Sequence, residues 1–174
     1  MKMLRIYMAV LAILIAATGN AQTNFKTLIK TFEGITGNWQ GSLTYLDYST
    51  GKPYTMPADM SFKRINNTNR FLLYNIYPNE KSANSIDTIT ISTNGDYIGN
   101  EQVKSRRKLS NGDIEIITEE RGKDGNDNKD ATFRHTYIIG KQTCRIRKDV
   151  LFEGAKEWIN RHEYVYKRNT NNQN

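Results

Sequence analysis

An all-β fold is what this 174-residue sequence predicts: an antiparallel up-and-down β-barrel of eight to ten strands, with a short N-terminal helix covering one end. Three observations predict it. The hydrophobic period changes once, from 3.6 residues to 2, near Asn38. From there to Arg168, alternating segments follow one another through short turn-rich connections with no helix between them. The length suits one core of ordinary size rather than two. Recurring Ile, Leu, Phe, Tyr and Val exclude a disordered chain, and the single Cys144 excludes a disulfide scaffold.

Residues 1–21 read as a secretory signal. Lys2 and Arg5 precede an apolar run from Ile6 to Ala17, and small or polar residues follow to Ala21. Cleavage is expected between Ala21 and Gln22, releasing a barrel domain of residues 22–168 and a frayed tail of 169–174. No cysteine follows the run, so a lipoprotein anchor is not expected. Removal of Lys2 and Arg5 lowers the formal net charge of +7 by two. No later apolar stretch is long enough to span a bilayer. The expected location is periplasmic or secreted, and there a lone Cys144 reads as a buried small hydrophobe.

Phe25, Leu28, Ile29 and Phe32 fall at i, i+3, i+4 and i+7, the stripe of a short amphipathic helix. Asn24 can cap it and Gly34 can end it. Trp39, Gly41, Leu43 and Tyr45 then share one face of a first strand. Tyr54, Met56, Ala58, Met60 and Phe62 alternate through the second, and Pro57, which has no amide proton, implies a bulge or an edge. Arg70–Tyr77 and Ile86–Ser92 follow. Asn94-Gly95 and Asn111-Gly112 signal hairpins of type I′, whose two central residues both need positive φ. Tyr97–Leu109, broken by Gly99, is either one bulged strand or two short ones. Ile114–Arg121, Ala131–Ile139, Thr143–Phe152 and Glu157–Arg168 complete the series. A meander with one apolar face is best stabilised by curling until its edges meet, which needs an even strand count. A two-sheet sandwich is the alternative.

Gly37-Asn38-Trp39-Gln40-Gly41, directly after the helix, resembles the Gly-x-Trp signature of the lipocalin-like (calycin) barrels. The basic aromatic last strand extends the resemblance. It implies that Trp39 closes one end of the barrel and that Arg168 packs over it. Nitrobindin-type haem barrels, which also begin Gly-x-Trp-x-Gly, are a related resemblance. The expected function is interior binding of a small, largely apolar molecule, without catalysis.

Leu43, Tyr45, Met56, Met60, Phe62, Phe71, Leu73, Phe133, Tyr137, Tyr164 and Tyr166 lie on inward faces and are the candidate ligand contacts, together with His162. Asn75, His135, Asn160 and His162 have the parity to orient a ligand. The two histidines should lie two strand spacings apart, ~9–10 Å, too far to share an ion. No metal is expected. No cofactor is expected either, although one axial histidine would serve a haem, and His162 is the preferred candidate. Asp124–Asp130 alternates oxygen-bearing side chains but lacks the Gly and Glu of an EF-hand, so it reads as a solvated hairpin. No Gly-x-Ser-x-Gly elbow appears, and Cys144 lies within a strand. The basic runs Lys104–Lys108 and Arg145–Lys148 suggest an anionic envelope surface as a further partner, with the barrel filled in that reading. Nucleic acid is not an expected partner.

Overall fold

The computed structural model describes residues 25–47, 49–125 and 128–169 of the chain. The expected signal, the Asn24 cap and residues 170–174 lie outside the described residues. Helix α1 spans residues 25–33 and buries Leu28, Ile29 and Phe32 against the sheet. It ends at Gly34, whose amide donates to the Lys30 carbonyl at 3.2 Å.

Eleven strands follow: β1 (Gly37–Leu46), β2 (Pro53–Pro57), β3 (Asp59–Arg64), β4 (Arg70–Ile76), β5 (Ser85–Thr90), β6 (Tyr97–Ile98), β7 (Glu101–Lys108), β8 (Ile114–Asp124), β9 (Lys129–Ile139), β10 (Thr143–Phe152) and β11 (Ile159–Arg168). They form one antiparallel sheet in the order β5-β4-β3-β1-β11-β10-β9-β8-β7-β6, with β2 on β1. The expected second strand is β2 and β3, broken at Pro57-Ala58. Both halves pair with β1, so they act as one bent strand and the circuit has ten staves. Tyr97–Leu109 resolves into two strands because Gly99 turns the chain at φ +60°.

Closure is local. The Ile91–Ile98 bridge joins the ends of the sheet, flanked by Gly99 N–H donating to Thr90 at 2.7 Å and Ser92 N–H to Tyr97 at 3.0 Å. Beyond that bridge no ladder joins β5 to β7 among the described residues, so the barrel is nearly rather than fully closed.

Two hairpin expectations need correction. At Asn94-Gly95 and Asn111-Gly112 only the glycines have positive φ, 77° and 91°. The 1–4 hydrogen bonds run from Gly95 to Ser92 and from Gly112 to Leu109, which makes each Gly the last residue of its turn. These are longer connections in which Gly takes the left-handed position after a type I-like turn. The pair that does occupy two left-handed positions is Asn66-Asn67, at φ 42° and 56°. Asn tolerates that region because its short amide bonds locally.

The core sits between α1 and the barrel floor. Phe32 meets the rings of Phe62, Phe71 and Tyr137 at 5.8–6.1 Å. Trp39, 1% exposed, donates its indole N–H to the Ile35 carbonyl at 2.8 Å. Arg168 pairs with Trp39 in register and lays its guanidinium over that indole, 4.2 Å from the ring centroid. The same guanidinium donates to the carbonyls of Gly34, Thr36 and Lys141. One cation thereby satisfies carbonyls just past the helix end, where the helix dipole favours positive charge.

Gly41 has a packing reason. A Cβ there would lie 2.3 Å from the Val165 carbonyl oxygen and 2.7 Å from the Tyr166 ring. Gly41→Ala is expected to lower unfolding stability by ~1–3 kcal/mol through overpacking. Urea titration measures this; an unchanged midpoint would show that Tyr166 moves aside freely.

Candidate functional site

The register divides the barrel interior into rows. Nearest α1, the row Ile114, Ile139, Cys144, Tyr166 and Gly41 is packed. The next row is Ile116, Tyr137, Ile146, Tyr164, Leu43 and Met56. Above it, Val103, Thr118, His135, Lys148, His162, Tyr45 and Tyr54 occupy one register row from β7 to β2. This row is a polar belt inside an otherwise apolar wall. Phe133, Val150, Ala131 and Phe152 form a separate apolar cluster on the far side of it.

The belt brings together residues that are distant in sequence. Lys148 pairs in register with His135 on one side and His162 on the other. Its ammonium sits 4.0 Å from the centroid of the Phe133 ring, a cation–π contact. Glu101, at the start of β7, accepts a hydrogen bond from the Thr118 hydroxyl. His135 Nδ1 lies 3.0 Å from Glu101 Oε1 at ion-pairing distance but off the hydrogen-bond direction, and this buried nitrogen has no hydrogen-bond partner among the described residues. Tyr77 and Tyr164 join hydroxyl to hydroxyl at 2.8 Å. Asn75 donates to Asp87 at 2.7 Å.

Burial acts on these groups in opposite senses. Burial pushes the Glu101 carboxyl up, but the His135 imidazole, the Thr118 hydroxyl and the Lys148 charge outweigh it and hold it below the ordinary carboxylate value. Burial pushes His162 down to about 4, and its electrostatic interactions with His135 and Lys148 act in the same direction. His162 is therefore a neutral imidazole near pH 7, with a lone pair available on the ring. The Tyr164 phenol is pushed up by burial and by its bond to Tyr77. Cys144 is fully buried and its thiol is pushed up to about 12 by burial, despite the neighbouring arginines in sequence.

Two sequence expectations fail here. The histidine rings lie 6.4 Å apart, centroid to centroid, and not ~9–10 Å. The strand spacing sets the Cα separation, but the inner side of a barrel is concave, so side chains from alternate strands converge. Among the described residues no cluster of three His, Cys, Asp or Glu suited to a metal is present. Asn160 does not share the His162 face. A bulge between Lys148 and Asp149 shifts the ladder, Asn160 pairs with Asp149, and its amide donates to Asp149 Oδ1 at 3.2 Å. The bulge instead accommodates Arg161, which reaches Asp124 across the mouth at 2.6 Å.

The candidate ligand contacts separate into groups. Met60, Phe62, Phe71, Tyr137 and Tyr166 are buried in the core against α1. Met56 is buried as well, and Phe133 lies beneath Lys148. Leu43, Tyr45, Leu73, His162 and Tyr164 face inward yet remain partly exposed. Glu101, Thr118 and Lys148 were missed by the sequence reading. Their signal was the parity of each with an inward neighbour, obscured for Glu101 by the bulge between Val103 and Ser105. Both basic runs are split by strand alternation. Lys148 points inward, Arg107 pairs with Glu115 at 2.6 Å, and Arg145 with Glu163 at 3.4 Å. Part of the Asp124–Asp130 loop lies outside the described residues.

No family model matches the chain, and no curated protein matches it. Among solved structures, Rv2717c from M. tuberculosis is similar at 11% identity and a TM-score of 0.47, over 81% of this chain and 96% of that one. A DUF3598-family protein of unknown function from Nostoc punctiforme is similar at 10% identity and a TM-score of 0.39, over 79% of this chain and 49% of that one. The nearly closed barrel is defined by the strand pairing of this chain itself.

The depressed His162 value sets a pH dependence. The unfolded chain takes up a proton at the ordinary 6.5, whereas the folded protein resists until about 4. Acidification through that window therefore favours the unfolded chain. Urea midpoints should fall between pH 6.5 and about 4, and His162→Gln should flatten that segment. Parallel profiles for both proteins would show that His162 does not set it.

Proposed function

We propose that this is an exported, lipocalin-like binding protein that takes a small, largely apolar molecule into the open half of its barrel and performs no chemistry on it. Export rests on the leader-like residues 1–21. The binding reading rests on one observation: the interior is filled on the α1 side, whereas Leu43, Tyr45, Ile146, His162 and Tyr164 face inward on three adjacent strands and keep contact with solvent. Inward side chains that water still reaches are open to a ligand, and this set combines apolar residues with a few polar groups, the usual composition of a ligand site. The Tyr pair and the belt would orient the ligand while Leu43 and Ile146 contact its apolar body.

An apolar fluorophore such as N-phenylnaphthylamine should brighten on binding the mature protein. Leu43→Trp, which fills the hollow from β1, should abolish that uptake while leaving the circular dichroism spectrum unchanged. Uptake equal in the variant, or none in the wild type, would overturn the reading.

The neutral, inward His162 favours a second reading in which the same hollow holds haem. The expected sign is a Soret band when the protein is mixed with haemin, lost in His162→Ala. A spectrum identical to free haemin would remove it.

A further inference from the structure

The closed end of the barrel carries a second concave feature, independent of the interior. The groove, of about 1160 Å³, runs between α1 and the turns that join β7 to β8 and β9 to β10. Its walls hold Lys26 and Lys30 from the helix, Arg106 and Lys108 from β7, and Lys141 from the β9–β10 turn. Lys26 and Lys30 are four residues apart, so they share a helix face away from the buried stripe, and Gly34 follows directly after the helix end. Arg106 and Lys108 reach this groove because strand alternation separates them from Arg107.

The charge here is uncompensated. Asp113 is the one acidic residue lining the groove, against five bases. Its carboxylate is held within its own turn, accepting from the Asn111 amide at 2.9 Å and packed over Gly140. Among the described residues no carboxylate lies within ion-pairing distance of the five cations; Arg106 donates only to the Thr31 hydroxyl at 3.2 Å. Four arginines elsewhere on the barrel are paired: Arg64 with Glu33, Arg107 with Glu115, Arg134 with Glu119, Arg147 with Asp149. Unpaired like charges held on facing walls repel one another and raise the local concentration of anions.

We infer that this groove is a binding site for an acidic polysaccharide, a chain bearing carboxylates or sulfates at intervals. Cations on two opposing walls suit an extended polyanion lying along the groove. A nucleic acid strand calls for aromatic platforms on which its bases stack, and no Phe, Tyr or Trp lines the groove. Gln142 and Thr143 supply an amide and a hydroxyl that sugar hydroxyls bond. The inference does not depend on the interior ligand.

The test is fluorescence anisotropy of labelled oligogalacturonate with the mature protein, at low and at physiological salt. Binding should weaken as salt rises, because most of it is charge neutralisation. Lys30→Gln/Lys141→Gln, both exposed positions, should reduce affinity by about tenfold or more, roughly what two lost charge contacts are worth. Lys52→Gln/Lys81→Gln, exposed positions in the β1–β2 and β4–β5 connections that do not line the groove, changes charge equally and should leave it unaltered. Equal loss in both double variants would mean net charge alone, and overturn the site. Absence of binding at low salt would overturn it too. So would tighter binding of oligothymidylate or of phosphatidylglycerol vesicles than of oligogalacturonate.

Discussion

The clamp that joins Arg168, Trp39 and the segment just after α1 is the constraint from which the rest of the barrel follows. Trp39 is anchored by its indole N–H to Ile35, immediately after the helix. Arg168 covers it from the neighbouring strand while bonding carbonyls on both sides of that anchor. First and last strands are thereby joined to one another and to the helix at a single point. The helix then has one seat, with Leu28 and Phe32 in the barrel and its lysines outward. Gly41 belongs to the same device, since only a residue without a Cβ lets Tyr166 close over the floor. A buried aromatic under a guanidinium is stabilised by dispersion and by the ring quadrupole together, and it orders three elements that share few local contacts.

Because one end is sealed in this way, the opposite half need not be filled. There the interior changes character within one register row, from Ile116, Tyr137 and Ile146 to Thr118, His135 and Lys148. Charged and polar groups facing inward oppose folding unless they are paired. Glu101 compensates part of this through Thr118 and its closeness to His135, and Phe133 offers its ring face to Lys148. The compensation is incomplete at His135 Nδ1. Incompletely satisfied polar groups beside inward side chains that water still reaches are the arrangement in which a bound molecule would gain most from its own polar atoms.

Much of the architecture was legible along the chain because it depends on local rules. The change of period at Asn38, the break at Pro57 and the glycine at 99 each act on their own residues, and each appears where it was expected. The aromatic parity of β1, β9 and β11 identified the inward faces. What escaped was whatever depends on register and curvature. A bulge at Lys148/Asp149 turns Asn160 away from His162, and no residue type announces it. Turn geometry at Asn94-Gly95 and Asn111-Gly112 depends on loop length, which the dipeptides alone do not set.

The amino-acid order by itself determined that this chain makes an antiparallel meander with one oily side, a helix before it and a Trp at its start, since periodicity and backbone preference are properties of neighbours in sequence. Only the tertiary structure decided which inward residues are sealed against α1 and which keep contact with solvent. It alone drew two histidines within 6.4 Å of each other and placed Lys148 between them in register. It alone gathered five scattered cations along one groove. Those outcomes arise when a sheet curls and meets its own edge, because distance across the enclosed space depends on curvature and strand register rather than on separation along the chain.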